Sequence, residues 1–479
     1  MTEGIDKRSG AVEAMAKAWA VTEPLMAGTL AMRGAGKILL PQFPREPEQA
    51  YRIRLNQAVL FPAFRRTVMV MSGKPFSKPI TLSEDTPPEV VEWAKDIDLE
   101  KTNLHAFCAE LMIEAIAHGL CGILVDSPTI DKGTGPLTVE NEKALKLRPY
   151  WVRIKHNQIL GWRCEKIDGS IKFTQLRLAE TGEVNDGEYG TKAVERVRVL
   201  ERGKWCLYEK RDVANNKTDW ILIGEGPSPT KDIPFVPLYG FRKAIGVGES
   251  PLMDLAHLNV KHWQRQSDLD VIEHSACVPI LAAYGFSEME DIAVGASTFI
   301  KSQSTDAKLE WVELKGSSIA EGKKSIEALE GQMIQAGAEL LVKQPGNRTA
   351  TEASNDAEAN KSDLQRIVEN FEDCLDTALT YTAEVAGLAT GGNVTLYKDF
   401  GASLLSDASA QMILSLQQAG LITKTTAIAE LQRRGTLSGD INPEQELEAV
   451  AAEGPSLGEM QDPEDLGRAE GDPARGAVI

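Results

Sequence analysis

The chain has 479 residues, 42% of them apolar and only 6% aromatic, with 52 Lys plus Arg against 70 Asp plus Glu, for a formal charge of −18. That is enough material for a sizeable core and roughly three domains at about 150 residues each; sparse aromatics beside plentiful Ala and Gly favour packed helices over a β-sandwich. The acidity argues against a protein that coats nucleic acid, which needs Lys and Arg facing phosphates, but leaves room for a surface that DNA passes without adhering.

The charge is uneven. Residues 1–80 hold twelve basic against six acidic side chains, whereas residues 440–479 hold eleven acids against Arg468 and Arg475. The first residues lack an apolar run followed by a small-residue cleavage site, so no secretory signal is expected. The apolar window Ala106 to Val125 is interrupted by Glu110, Glu114 and His118, which a spanning helix would be penalised for burying. A soluble, cytoplasmic-type chain without membrane contact is expected.

In chain order, Pro47 to Gly73 reads as a helix with Tyr51, Leu55, Ala58 and Val59 on one face, kinked or split by Pro62. Asn103 to Gly119 reads as a second helix, with Phe107, Leu111 and Ala115 at helical spacing and Gly119 as its C-cap. Gly122 to Val125 is a short apolar run that suggests a buried strand. Between residues 149 and 240, β-rich runs such as PYWVRI, SIKFTQLRL and ERVRVLERG alternate with DG and NDGEYG turn signals, which predicts one small antiparallel sheet. The sheet closes in IPFVPLYG, whose two prolines permit only an edge strand or an extended linker.

Ser250 and Pro251 form a cap and first-turn proline that open a helix to about Ala276. Its centre, Lys261 to Asp268, is polar apart from Trp263 and so is expected to bury little. Strand-like stretches follow at Val278 to Tyr284 and Leu309 to Leu314. Ser318 with Glu321 makes a capping box opening a helix to about Val342, and Pro345-Gly346 then forces a turn. Thr351 to Gly387 reads as one continuous helix, about 54 Å at 1.5 Å per residue, with its first half polar all round. Helices at Ser403 to Ala419 and Thr423 to Arg434 close the folded part, and the tail after Asp440 is expected to be disordered or partly helical.

Chemistry-bearing motifs are scarce. GAGK at Gly34 to Lys37 has Ala31 where a phosphate loop needs its first Gly and Ile38 where it needs Ser or Thr, so it reads as a flexible loop. GVGESP, Gly246 to Pro251, precedes a helix and offers backbone N–H groups to an anion, but lacks the third Gly of a dinucleotide fingerprint. Asp96/Asp98 and Asp268/Asp270 are two apart, which on a helix faces different sides, and read as solvated faces. His257 and His262 are five apart, not the four that co-ligate a metal. The six cysteines, Cys108, Cys121, Cys164, Cys206, Cys277 and Cys374, show neither C-x-x-C pairing nor finger spacing, so free thiols are expected. Neither catalytic residues, a bound cofactor nor a metal are expected, and the chain does not read as an enzyme.

The order of the pieces carries more than any motif. A helix-and-sheet start, the IPFVPLYG strand, the SPLMDLAHLNVKHWQRQSDLD helix, the PILAAYGF strand, the EGKKSIEALEGQMIQAGAELL helix, a Pro-Gly loop, TATEA and a long helix together resemble the portal proteins of tailed bacteriophages. The likeness is to a portal family long catalogued as a domain of unknown function, and it covers roughly residues 40–435. The resemblance implies an α+β, mainly helical fold in a ring of about twelve copies (a dodecamer) at one capsid vertex, which conducts the genome during packaging and ejection. It implies a wing at 1–249, a first stem helix at 250–276, a clip at 277–316, a second stem helix at 317–342 and a tunnel loop at 343–350. A long helix with a return strand at 351–399, a helical crown at 400–439 and an acidic tail at 440–479 would follow. Lys343, Gln344, Asn347 and Arg348 would face DNA in the tunnel loop, and Lys261, Arg265 and Asp268 would serve channel or subunit contacts in the stem. Implied partners are viral double-stranded DNA, the terminase large subunit, a head–tail adaptor, and major capsid or scaffold protein, in the virion. The competing readings are another virion component, such as a head–tail connector or minor capsid protein, and a soluble α+β enzyme with a site assembled from scattered residues.

Overall fold

The computed structural model describes residues 4–128, 148–213, 217–276, 280–284, 308–312, 317–338 and 362–398 of a first unit, Met1–Lys398. In a second unit, Asp399–Ile479, it describes residues 413, 415–418, 420–433, 437 and 442–452. Two compact units thus replace the three suggested by length. Helices and strands are mixed in an α+β arrangement.

The first unit opens with helices α1 (Gly10–Ala27), α2 (Thr29–Ala35), α3 (Glu48–Gln57) and α4 (Ala63–Gly73). Pro62 does split the predicted helix in two. Of the apolar stripe expected from sequence, Tyr51 and Ala58 are buried and Leu55 half-buried, but Val59, just past the helix end, is exposed, and Arg54 points inward with the stripe. GAGK is not a loop either: it ends α2 and continues into a 3-10 turn, Gly36–Ile38, with Lys37 Nζ 3.0 Å from Glu48.

After β1 (Thr81–Leu82) and α5 (Pro88–Trp93), the Asp96/Asp98 pair builds a turn. Asp98 Oδ1 accepts from the N–H groups of Glu100 and Thr102 at 2.9 and 3.2 Å, and Asp96 Oδ1 accepts from Lys101 N–H at 2.8 Å. These bonds hold Leu99 and Lys101 at φ of +65° and +69°, a conformation side chains rarely adopt unaided. The carboxylates are therefore structural, not a solvated face. Helix α6 (Leu104–His118) then begins where predicted, with the Asn103 side chain accepting from Ala106 N–H at 2.8 Å. It ends on Gly119 at φ +83°, the left-handed cap that glycine adopts without penalty.

Strands β2 (Leu120–Asp126) and β3 (Tyr150–Ile154) lead into β4 (Ile159–Ile167), β5 (Ser170–Asp186), β6 (Gly190–Glu201), β7 (Lys204–Val213), β8 (Lys217–Pro227) and β9 (Phe235–Tyr239). They form two sheets where one was expected: a three-stranded sheet in the order β3-β2-β9 and an antiparallel meander β4-β5-β6-β7-β8. The reason lies in β2, whose residues 120–125 are all buried. A strand with no solvent face needs a partner on each side, and it takes β3 and the proline-bearing edge strand β9 from the two ends of the β-rich region.

One face of the three-stranded sheet, Leu120, Leu124, Ile154 and Phe235, packs with Val12, Met15 and Trp19 of α1 and with Ile159, Leu176 and Leu178 of the meander. On the other, the Cys121 thiol donates to Leu111 C=O of α6 at 3.4 Å, and Trp151 sets its ring edge against Phe107. The hairpin β10 (Phe241–Ala244) and β11 (Val247–Glu249) follows. It disposes of the anion-loop reading of GVGESP, because Gly246 N–H donates to the Tyr239 hydroxyl at 2.8 Å and Gly248 lies against Gly119 C=O, so the backbone is already partnered by protein.

Helix α7 (Met253–Ala276), the hairpin β12 (Ile280–Tyr284) with β13 (Lys308–Val312), and α8 (Ser317–Ala338) come next. Ser318 lies inside α8 and does not cap it. The predicted helix from Thr351 to Gly387 is not continuous. Ser362 is extended at φ −72°, ψ 158° and forms its own capping box with Gln365, opening α9 (Asp363–Ala386). Since an extended residue cannot lie within a helix, α9 spans about 36 Å at 1.5 Å per residue. Residues 351–361 lie outside the described residues. A return strand, β14 (Val394–Thr395), pairs with β1. In the second unit the described helices are α10 (Lys424–Arg433) and α11 (Pro443–Ala452), the latter making the acidic tail partly helical. Among the described residues no helix is long and apolar enough to cross a membrane.

Candidate functional site

Helices α7 and α8 pack side by side and run antiparallel. Glu273 pairs with Lys323 at 3.0 Å near one end, Arg265 donates to Ser325 further along, and His262 Nε2 lies 3.2 Å from Glu330 beyond that. The sequence numbers rise on one helix as they fall on the other, and the β12-β13 hairpin joins the two. Ile326, Leu329 and Met333 of α8 are buried, as are Leu255, Trp263 and Leu269 of α7. Gly322 keeps the backbones close: an added Cβ there would stand 3.0 Å from Leu269 Cδ1.

The polar centre of α7 is buried in part, more than expected: Lys261 and Arg265 are exposed, but His262 and Ser267 are not. Asn259, His262 and Ser267 are almost wholly inaccessible. Asn259 Oδ1 accepts from Phe64 N–H and its Nδ2 donates to Phe61 C=O, both at 2.9 Å. One amide thus satisfies both backbone groups that flank Pro62, capping α4 and fixing the break between α3 and α4. Asn259 can face inward because its partners are backbone groups beside a proline, a condition that hydrophobic patterning does not encode. Asn259→Ala is expected to cost about 1–3 kcal/mol in denaturant unfolding by leaving the Phe64 N–H unpaired, while Phe61 C=O keeps the bond from Ala63 N–H at 2.9 Å.

Of the predicted stem residues, Lys261 and Arg265 lie one turn apart on an exposed face of α7. Asp268 turns toward α3, with a carboxylate oxygen 3.8 Å from Arg54. Burial pushes the Asp268 carboxyl above the ordinary range, against the pull of Arg54. Asp270 accepts from Gln266 at 2.8 Å, so Asp268 and Asp270 have separate surroundings. His257 is exposed while His262 is buried against Phe61, which separates that histidine pair as well. Lys343, Gln344, Asn347 and Arg348 lie outside the described residues, as do most of the predicted clip, the first part of the long helix and half of the crown.

One constellation went unread in the sequence. Glu114 and His118, one turn apart on α6, meet His156, which lies in a 3-10 turn (His156–Gln158) after β3. Their potential ligand atoms all lie within 4.8 Å of one another. The available signal was the pair of ionisable residues four apart, Glu114 and His118, in a largely apolar helix.

Comparison with known proteins adds the following. A family model described as "Domain of unknown function (DUF4055)" matches residues 251–386, the stretch from the entry of α7 to the end of α9. None of the curated proteins compared matches the sequence. Among solved structures, a chain in the virion of a native gene transfer agent particle is similar at 10% identity and a TM-score of 0.37, covering 84% of this chain and 97% of that one. A chain in the neck of an empty gene transfer agent particle, computed with C6 symmetry, is similar at 11% identity and a TM-score of 0.39 with the same coverage. A chain in the neck of the native particle, computed with C12 symmetry, is similar at 11% identity and a TM-score of 0.37, covering 77% and 89%. Superposition at this level is loose and carries no argument about this chain.

Proposed function

We propose that the chain is a structural subunit of a tailed-phage-like particle and, within it, the ring-forming portal at the capsid vertex through which the genome passes. The observation that carries the reading is the run of α7, hairpin and α8: two antiparallel helices joined at one end by a short β-ribbon, in the sequence order that resembles a portal stem and clip. In this reading α7 and α8 are the stem, the β12-β13 ribbon belongs to the clip where terminase and adaptor dock, and residues 343–350 are the tunnel loop.

Two features of the helix pair suit a ring. Ile272 of α7 and Ile334 of α8 remain exposed, Ile334 at 75%, and neighbouring copies would cover such side chains. Lys261 and Arg265 stand on a solvent-facing side of α7, where they would meet an adjacent subunit or the channel. The net charge of −18 per chain, repeated around a ring, would repel duplex DNA and let it slide.

Electron microscopy and native mass measurement of the purified full chain are expected to show closed rings with a central hole wide enough for duplex DNA. A compact monomer at every concentration would overturn the reading. In assembled particles, replacing Lys343 and Arg348 by glutamine is expected to impair packaging or genome retention, and unchanged particles would remove the DNA-facing role of the loop.

A further inference from the structure

We propose that Glu114, His118 and His156 form a binding site for a divalent transition metal, with Zn²⁺ the best match to two imidazoles and a carboxylate. Three elements converge on it: α6 supplies Glu114 and His118, the turn after β3 supplies His156, and α1 supplies Thr22 and Glu23 as outer partners.

The outer partners fix which nitrogens face inward. His118 Nδ1 lies 2.8 Å from Thr22 Oγ1, and His156 Nε2 lies 2.8 Å from Glu23 Oε1. A hydroxyl and a carboxylate that accept these N–H groups leave His118 Nε2 and His156 Nδ1 with lone pairs. This is the arrangement by which metal-ligating histidines are oriented through their far nitrogen. His156 Nδ1 is then left 2.5 Å from Glu114 Oε1, two acceptors pressed together. They repel unless a cation lies between them, either a proton or a metal ion.

The rest of the site favours the metal. The His118 side chain is buried away from competing solvent. Its ring stacks on His156 with centroids 3.8 Å apart and planes 25° apart, so one ring turns on binding for both lone pairs to meet a single ion. Trp19 closes one side, with its indole N–H donating to His118 C=O at 2.9 Å and its ring edge against His156. Both histidine side chains are buried, whereas Glu23 is 43% exposed and leaves a path for entry. Tetrahedral Zn²⁺ with bonds of about 2.0–2.2 Å separates its ligand atoms by about 3.3 Å. Binding therefore draws in the wider contacts of the set, moves Glu114 slightly off His156, and releases to solvent any proton the two share. Three protein ligands leave a fourth position for water.

The experiment uses the full chain, stripped with a chelator and then titrated with Zn²⁺ or Co²⁺. One metal ion per chain is expected, with the visible absorption of a tetrahedral site for Co²⁺ and a rise in unfolding temperature on adding Zn²⁺. His156→Ala and Glu114→Gln are expected to weaken binding by more than about 100-fold, and the outer variant Thr22→Val by about 10–100-fold. Absence of stoichiometric uptake would show that the cluster holds only a proton and overturn the proposal. Unchanged uptake by Glu114→Gln and Thr22→Val would do the same by placing the ion elsewhere. Circular dichroism of each variant separates lost ligation from lost folding.

Discussion

Truncating Trp151 to alanine is expected to lower the unfolding free energy of the first unit by about 3–5 kcal/mol, the usual range for removing a large aromatic from a closed core. Its side chain is 1% exposed, sits on β3 opposite Val125, packs edge-on against Phe107 of α6 and donates its indole N–H to Thr382 Oγ1 of α9 at 2.8 Å. One residue therefore ties the sheet to two helices that are far apart in sequence. Trp151→Phe is expected to cost much less, about 1–2 kcal/mol, because Thr382 Oγ1 also donates to Ala378 C=O at 2.8 Å and keeps that bond. Urea unfolding checks the pair: the midpoint should fall in that order with an unchanged slope. Equal effects would mean that the hydrogen bond, not ring volume, dominates.

The second large effect is expected at Arg54. Its guanidinium is 3% exposed, makes two parallel bonds to Glu46 at 2.9 Å each, donates to Pro41 C=O at 2.8 Å and lies 4.0 Å from the centroid of the Phe43 ring. Arg54→Ala strands Glu46 beside Asp268 without their shared cation, at a cost of about 3–5 kcal/mol. Arg54→Lys is expected to recover only part of this, because an ammonium cannot form the planar two-pronged contact or lie flat on the ring. Replacing both partners, Arg54→Met with Glu46→Gln, should be milder than Arg54→Ala alone.

The same pair carries a pH signature. The hydrogen bond from Arg54 holds the Glu46 carboxyl below its ordinary value, against the opposing effect of burial. A carboxyl lowered in the folded state contributes stability that is fully present above its unfolded pKa and is lost as pH falls through the folded one. Wild-type stability should therefore drop on acidification below the ordinary glutamate range, and Glu46→Gln should flatten that part of the profile.

Much of the local structure was legible because it is written in short-range chemistry. Asn103 and Gly119 bracket α6, Pro62 breaks the helix, and IPFVPLYG forms an edge strand. Pairing was less legible: alternation marks β-rich runs but does not say that β3 and β9 leave the meander to flank β2. Side-chain burial failed where polarity is satisfied at long range. Arg54 and Asn259 are polar, yet both are buried because Glu46 and the backbone around Pro62 supply their partners. The capping box at Ser362 was present in the sequence, but the continuous helical appearance on either side concealed it. The histidine cluster joins residues 38 positions apart through an α1 helix that no motif announced. The helix–hairpin–helix order from α7 to α8 was readable from element types alone, whereas its ion pairs and close approaches required the register between helices.

The break at Ser362 has a mechanical consequence. A continuous α-helix is a stiff rod that transmits twist and thrust along its hydrogen-bonded turns, and an extended residue interrupts that path. Helix α9 is anchored beside β9 and β2, with the Cys374 thiol donating to Pro237 C=O at 3.5 Å and Trp151 bonded to Thr382. Ser362 is itself buried and held by its N–H donating to Gln365 Oε1 at 2.9 Å and its Oγ accepting from Gln365 N–H at 3.3 Å. Helix α9 is thereby a self-capped rod braced on the sheet, and its hydrogen bonds do not depend on helical continuity with the chain before it.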